Sequence, residues 1–340
     1  MLLLRKRTGI LTTKMKKKEK PNAQQLYAAI SRHDVAPLRK LLADGADPNA
    51  AVHDEYHGDI PVLLCAAGSQ FLEGVKTLLD AGANPNAAMT GGLGGGGGET
   101  ALHNAISGSD KRPDDDPKRS HEEDRLKIVD LLLKAGADPN AVDQGDTLPL
   151  YSAASDGRYE IVQRLIEAGA TFKTWPAGCI PPLVGAAGGV APHGVEEGRK
   201  QERVTKLLLD LDAPVDGETA EGVTALMATA IPGSERLVNL LLEREADVNH
   251  RSQDGRTPLI CAALYAEWAA AEDEYELALR IVKRLIEAGA DPNARNVEGK
   301  SAYDIAARSR SPLAAEYLKE VSNAKRYMNG HTPTKARSVP

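Results

Sequence analysis

Aromatic residues are only 4% of this 340-residue chain, so any core has to be filled by Leu, Ile, Val and Ala. Cysteines number three, Cys65, Cys179 and Cys261, at spacings that fit neither a zinc site nor a disulfide framework. They read as buried structural thiols in a reducing, intracellular compartment, because Cys behaves as a small hydrophobe. Long apolar runs are missing too. Leu2-Leu3-Leu4 is followed at once by Arg5-Lys6-Arg7, short of the roughly 7 to 15 apolar residues that an export signal needs. There is no Gly-x-Ser-x-Gly, no Cys and His pair at motif spacing and no metal-ligand pattern. These absences exclude stapled, exported and signature-bearing catalytic classes, and no enzyme activity, cofactor or small-molecule substrate is expected.

What is present is repetition. Gly136-Ala137-Asp138-Pro139-Asn140-Ala141 has near copies at residues 45–50, 82–87 and 289–294, a truncated copy at Gly169-Ala170 and worn copies at 212–217 and 245–249. Each copy ends an apolar run of one shape. Val162, Leu165 and Ile166 precede Gly169 as Val282, Leu285 and Ile286 precede Gly289. That i, i+3, i+4 spacing is one apolar stripe on a short helix. The Gly can close the helix in a left-handed conformation and the Pro prevents it from resuming. Intervals between the seven stops are 37, 54, 33, 43, 33 and 44 residues, a floor of 33 with insertions, which predicts a solenoid with one continuous core.

Before the helices stand Gly98-Glu99-Thr100-Ala101-Leu102-His103-Asn104-Ala105, Gly222-Val223-Thr224-Ala225-Leu226 and Gly255-Arg256-Thr257-Pro258-Leu259-Ile260-Cys261-Ala262-Ala263. These resemble the ankyrin repeat signature Gly-x-Thr-Pro-Leu-His-x-Ala-Ala, over roughly residues 22–326. The resemblance implies an all-α solenoid of about eight helix-turn-helix units with β-hairpin fingers and a concave face that binds other proteins. Units are expected at about 22–50, 51–87, 88–141, 142–171, 172–217, 218–250, 251–294 and 295–326, the first and last as caps. Only His103 keeps the signature His; Asp304 takes its place in the last unit, and Asp212 and Glu245 stand where a helix-closing Gly is expected.

Charge is unevenly spread. Residues 1–20 hold eight bases and one acid, residues 321–340 hold four bases and no acid, and the body between them carries −17. Residues 1–21 and 327–340 are expected as disordered basic tails, with Met15 as a plausible alternative start. An acidic body favours a protein partner with a basic surface and disfavours nucleic acid.

Insertions enlarge units 3, 5 and 7. Gly91 to Gly98 contains a Gly-x-Gly-x-x-Gly match, yet no buried strand precedes it and Glu99-Thr100 follows instead of a phosphate-binding Lys, so a flexible finger tip is expected. Residues 109–120 read as a mobile acidic loop. In unit 7, Leu264 to Tyr275 is rich in Ala and Glu and should lengthen both helices. His53 and His57 fall in a turn, which leaves partner contact or a solvated loop ahead of a metal.

By the resemblance, contacts come from the hairpin tips and from the two positions after Ala-Ala on each inner helix. The tips supply Tyr56, His57, Gln144, Asp146, Trp175, Glu221, Arg256 and Lys300, and the helices supply Ser155, Asp156, Ile231, Pro232, Leu264, Tyr265 and Arg308. Trp175, Ile231, Leu264 and Tyr265 are the expected anchors, being apolar where solvent would otherwise stand. Expected, then, is a cytoplasmic, monomeric protein-binding module without a transmembrane segment. Alternatives are a toxin-neutralising or inhibitory protein of bacterial type, a secreted effector, or nucleic-acid or anionic-membrane binding through the basic ends.

Overall fold

The computed structural model describes residues 21–93, 97–108, 121–188, 195–230, 234–269, 271–309 and 312–328. Amphipathic stripes dictate the architecture, because each short helix has one apolar face to bury. Sixteen helices result, in eight pairs. Inner helices α1 (Ala23–Ser31), α3 (Val62–Gly68), α5 (Ala101–Ser107), α7 (Pro149–Ser155), α9 (Pro182–Gly188), α11 (Ala225–Ala230), α13 (Pro258–Trp268) and α15 (Ala302–Ala306) stack on one another. Outer helices α2 (Val35–Ala43), α4 (Leu72–Asp80), α6 (His121–Lys134), α8 (Tyr159–Glu167), α10 (Val195–Asp210), α12 (Glu235–Glu243), α14 (Glu272–Glu287) and α16 (Leu313–Met328) stack beside them. One apolar core runs from Leu26 to Leu318. In α8 it takes Val162 and Leu165 of the stripe read from the sequence, together with Ile161, while Ile166 is only partly buried against it.

The hairpin fingers are less regular than expected. Among the described residues only the second unit forms two paired strands, β1 (Ala51–Asp54) and β2 (Gly58–Pro61), with Ala51 opposite Pro61. Elsewhere the described fingers close with single bridges, Ala88 to Thr100, Glu218 to Thr224 and Arg295 to Ser301. Finger and helix are joined by a side chain at the third helical position. His103 Nδ1 faces the Thr100 amide at 3.2 Å and its hydroxyl at 3.0 Å, and the ring is buried. In the last unit Asp304 does the same work, accepting from the Ser301 amide and hydroxyl at 2.8 Å each. Asp304 is therefore a substitute for the missing His, and those bonds, ahead of the nearby Arg295, hold its carboxyl below the usual value.

The turns behind the helices are tied to one another by asparagine. Asn49, Asn86, Asn140 and Asn249 each donate from Nδ2 to the carbonyl of the next stop Gly (82, 136, 169 and 289) at 2.8–3.3 Å. Each also accepts at Oδ1 from the amide two residues beyond that stop, at 2.7–2.8 Å. The amide side chain spans two units because it has both a donor and an acceptor. Two junctions break the pattern. Asp216 replaces Asn and only accepts, from the Asp247 amide at 2.9 Å. Between units 4 and 5, Lys173 stands in the Asn position and Pro214 where the receiving amide would be, so both halves of the clamp are missing together.

Asp212 and Glu245 do close their helices as Gly would, at φ of 61° and 63°. Holding a side chain there costs roughly 1–2 kcal/mol. Outer helices are further linked by exposed ion pairs from one unit to the one before it, including Arg39–Glu73 at 3.3 Å, Arg164–Asp130 at 3.2 Å and Arg280–Glu235 at 2.9 Å. Each is worth well under about 1 kcal/mol.

Candidate functional site

The fingers and the exposed flank of the inner helices form one face, and the residues expected on it can be placed individually. Tyr56 is at the tip of the β1–β2 finger and 63% exposed. Beside it Asp54 accepts from the Tyr56 and His57 amides and pairs with His57 Nδ1 at 2.7 Å. The His57 hydrogen bond is the main reason the Asp54 carboxyl sits below its ordinary value. His53 pairs with Asp59 at 2.8 Å, so the two His are turned to separate carboxylates. Among the described residues no His, Cys, Asp and Glu cluster is arranged to hold a metal.

The Gly-rich stretch is pinned at both flanks. Leu93 donates to Glu55 O at 3.1 Å, and a Cβ on Gly92 would lie 2.7 Å from that same oxygen, so only Gly fits. On the other flank the Gln144 amide donates to Gly97 O at 2.8 Å and its side chain covers Gly97. Residues 94–96 and the expected acidic loop 109–120 lie outside the described residues, as do Ile231 and Pro232. Asp146 is exposed, with its carboxylate against Gly178.

Trp175 is half-buried with its ring edge over Gly217, where a Cβ would come within 2.7 Å of the indole. It packs between turns more than it offers itself to a partner. Tyr265 corrects the sequence reading outright, at 7% exposed. The insertion adds turns to both helices of unit 7, so α13 continues past Ala262-Ala263 and carries Tyr265 into the core, near the acidic start of α14. Burial and then the charges of Glu274 and Asp273 push its phenol up. Leu264 is half-buried against the core, and the exposed aromatic of this unit is Trp268, at 64%. Trp268 is the last residue of the lengthened α13 and follows the half-buried Leu264 at i+4, which is the signal that could have found it.

Ser155, Glu221 and Arg256 are brought together around two adjoining cavities. A cavity of about 280 Å³ is lined by Tyr151, Ser155, Ile180, Val184, Gly188, Glu221, Val223 and Ala228 among others. A cavity of about 370 Å³ is lined by Glu221, Val223, Met227, Ser252, Asp254, Arg256 and Cys261. Asp156 pairs with Arg158 at 3.1 Å, and Arg256 with Asp254 at 2.7 Å. Lys300 pairs with Glu298, and Arg308 is exposed just after α15, so these two lie apart from the cavities. Burial holds the Cys65 thiol up at about 11 and the Cys261 thiol at about 12, so both stay neutral. Cys65 is half-buried, Cys179 and Cys261 buried.

Models of the ankyrin repeat match three stretches, as three-copy repeats at residues 195–272, as multi-copy repeats at 119–166 and as a single repeat at 254–297. The chain is an ankyrin repeat protein. No curated protein sequence matches it. Among solved structures it is similar to the human ASB11 ankyrin repeat domain, at 24% identity and a TM-score of 0.56, over 76% of this chain and 96% of that one. Likeness at that identity carries the fold alone. Ankyrin repeats are in general protein–protein interaction modules, and that coarse class applies here. No helix among the described residues is long and apolar enough to cross a membrane.

Proposed function

We propose that this ankyrin repeat protein binds a protein partner with a basic surface along its fingers and concave groove. The carrying observation is charge. Across the fingers of units 2–4 (residues 51–61, 88–100 and 142–148) stand six carboxylates, Asp54, Glu55, Asp59, Glu99, Asp143 and Asp146, and no Lys or Arg. Such a row raises the encounter rate with a cationic surface and sets its orientation. The opposite end of the row is basic, with Arg251, Arg256, Arg295 and Lys300 against Asp254 and Glu298. A partner is therefore read in one direction. Function as a monomer in the cytoplasm, as adaptor or inhibitor, belongs to the same proposal.

Capture from a lysate of the source organism tests it, comparing wild type with a Glu55→Lys, Glu99→Lys, Asp146→Lys variant. A basic protein retained by wild type, released by salt and absent from the variant is expected. Equal retention by both, or recovery of nucleic acid alone, would overturn the reading and return weight to the basic ends of the chain.

A further inference from the structure

The two cavities share a wall. Glu221 and Val223, on the sixth finger, line both. Resting on the protein-binding reading above, we propose that they form a paired socket for an extended segment of the partner. The segment places an aliphatic side chain in the 280 Å³ cavity, an aromatic one in the 370 Å³ cavity, and a Lys or Arg against Glu221 between them.

The floors differ in chemistry. The smaller cavity exists because side chains are missing from it: Gly185 lies under the Tyr151 ring, where a Cβ would come within 2.7 Å, and Gly188 faces Ala228 at 3.3 Å. Ile180 and Val184 leave it aliphatic. In the larger one the floor is Met227 and the neutral Cys261, and sulfur favours contact with the edge of an aromatic ring. Both volumes lie at the small end of the range of about 300–1,000 Å³ found for ligand clefts.

Charge at the wall is unbalanced in one sense. Asp254 is matched by Arg256 at 2.7 Å, and Glu218 by His250 at 2.8 Å, whereas Glu221 makes no ion pair among the described residues. Its carboxylate accepts only from the Thr219 hydroxyl, at 2.8 Å, which aims it. The wall is also fixed before any partner arrives. The Gln253 amide donates to Glu221 O at 2.9 Å and its side chain to Ala220 O, so fingers 6 and 7 are locked together. Little ordering is left to be done on binding.

Phage-displayed random peptides selected on the full chain provide the probe, with the enriched peptides resynthesised and titrated by calorimetry. Expected are sequences carrying an aliphatic, a basic and an aromatic residue in close succession. Their affinity should fall at least tenfold with Glu221→Arg and with Ala228→Leu, which fills the smaller cavity, and stay unchanged with Lys76→Glu, an exposed position on the outer helix α4. Thermal unfolding of each variant confirms that the fold is intact. Enrichment of no peptide, or of peptides bound equally by Glu221→Arg, would overturn the paired socket. If partner capture still responds to the acidic finger variant in that case, the protein-binding reading survives and only the socket falls.

Discussion

The two ends of this solenoid and its middle are built from the same repeat but are not held alike. From unit 1 to unit 4, and again from unit 6 to unit 7, each turn is clamped to the next by both atoms of an Asn amide. Between units 4 and 5 the turns have no clamp and share an exposed Lys173–Asp212 pair at 3.8 Å, and between units 5 and 6 there is half of a clamp. The floor of the smaller groove cavity lies across those same units. In a stack whose stability is a sum over neighbours, a missing junction term lowers the cost of local opening there and nowhere else. The comparison suggests that compliance and recognition occupy one region.

The largest effect should come from the core beside the open junction. Leu165 and Leu78 are both fully buried on outer helices. Truncating either to Ala should cost about 3 kcal/mol. Urea unfolding of Leu165→Ala is expected to split into two transitions, because the unclamped junction cannot hold the halves together, while Leu78→Ala unfolds in one. Coincident single transitions for both would erase the distinction between middle and end.

Next come the clamps themselves. Asn140→Ala removes three hydrogen bonds, one to Gly169 and two from Thr171, and should cost about 1–2 kcal/mol by urea titration, against about 1 kcal/mol or less for Asp216→Ala. Asp216→Asn, which supplies the absent donor, should stabilise. Asp212→Gly and Glu245→Gly should each stabilise by about 1 kcal/mol, since Gly takes the left-handed turn without strain; a loss at either would mean that its side chain makes a contact worth more than the strain.

A smaller effect is set by pH at the last unit. The Asp304 carboxyl is held below its ordinary value of 3.8, so its contribution is present above that value and is lost as pH falls through the lowered one. Amide signals of α15 should therefore broaden as pH falls through that lowered value. Ser301→Ala, which removes one of the bonds that lower it, should move the broadening to higher pH.

The repeat, its period and the helix stripes were legible because each is a local pattern read many times over. The Asn of the turn was visible in every copy, but not its job, since its partners lie 29 to 52 residues away. Tyr265 was misplaced for a related reason: α13 has 11 residues against 7 in the regular α7, about one more turn, which keeps Tyr265 inside the helix and packed on the core, and composition gave the helix without its length. Glu221 was chosen as a tip residue, but the shared wall around it depends on how α9, α11 and α13 stack. Trp175 was legible as a large side chain in a turn and illegible as packing on Gly217.

The most direct test of the contrast is amide hydrogen exchange at Ala137 and Ala213 in the free chain. Both make the same local bond, to Leu132 O at 3.0 Å and Leu208 O at 2.9 Å, and they differ in whether their turn is clamped from the preceding unit. One clamp at about 1.4 kcal/mol corresponds to a tenfold difference, so Ala213 is expected to exchange about ten times faster. A Lys173→Asn, Pro214→Asp double variant, which restores both halves of the clamp, should slow Ala213 to the rate of Ala137. Equal rates in the wild type, or no slowing in the double variant, would contradict a compliant middle.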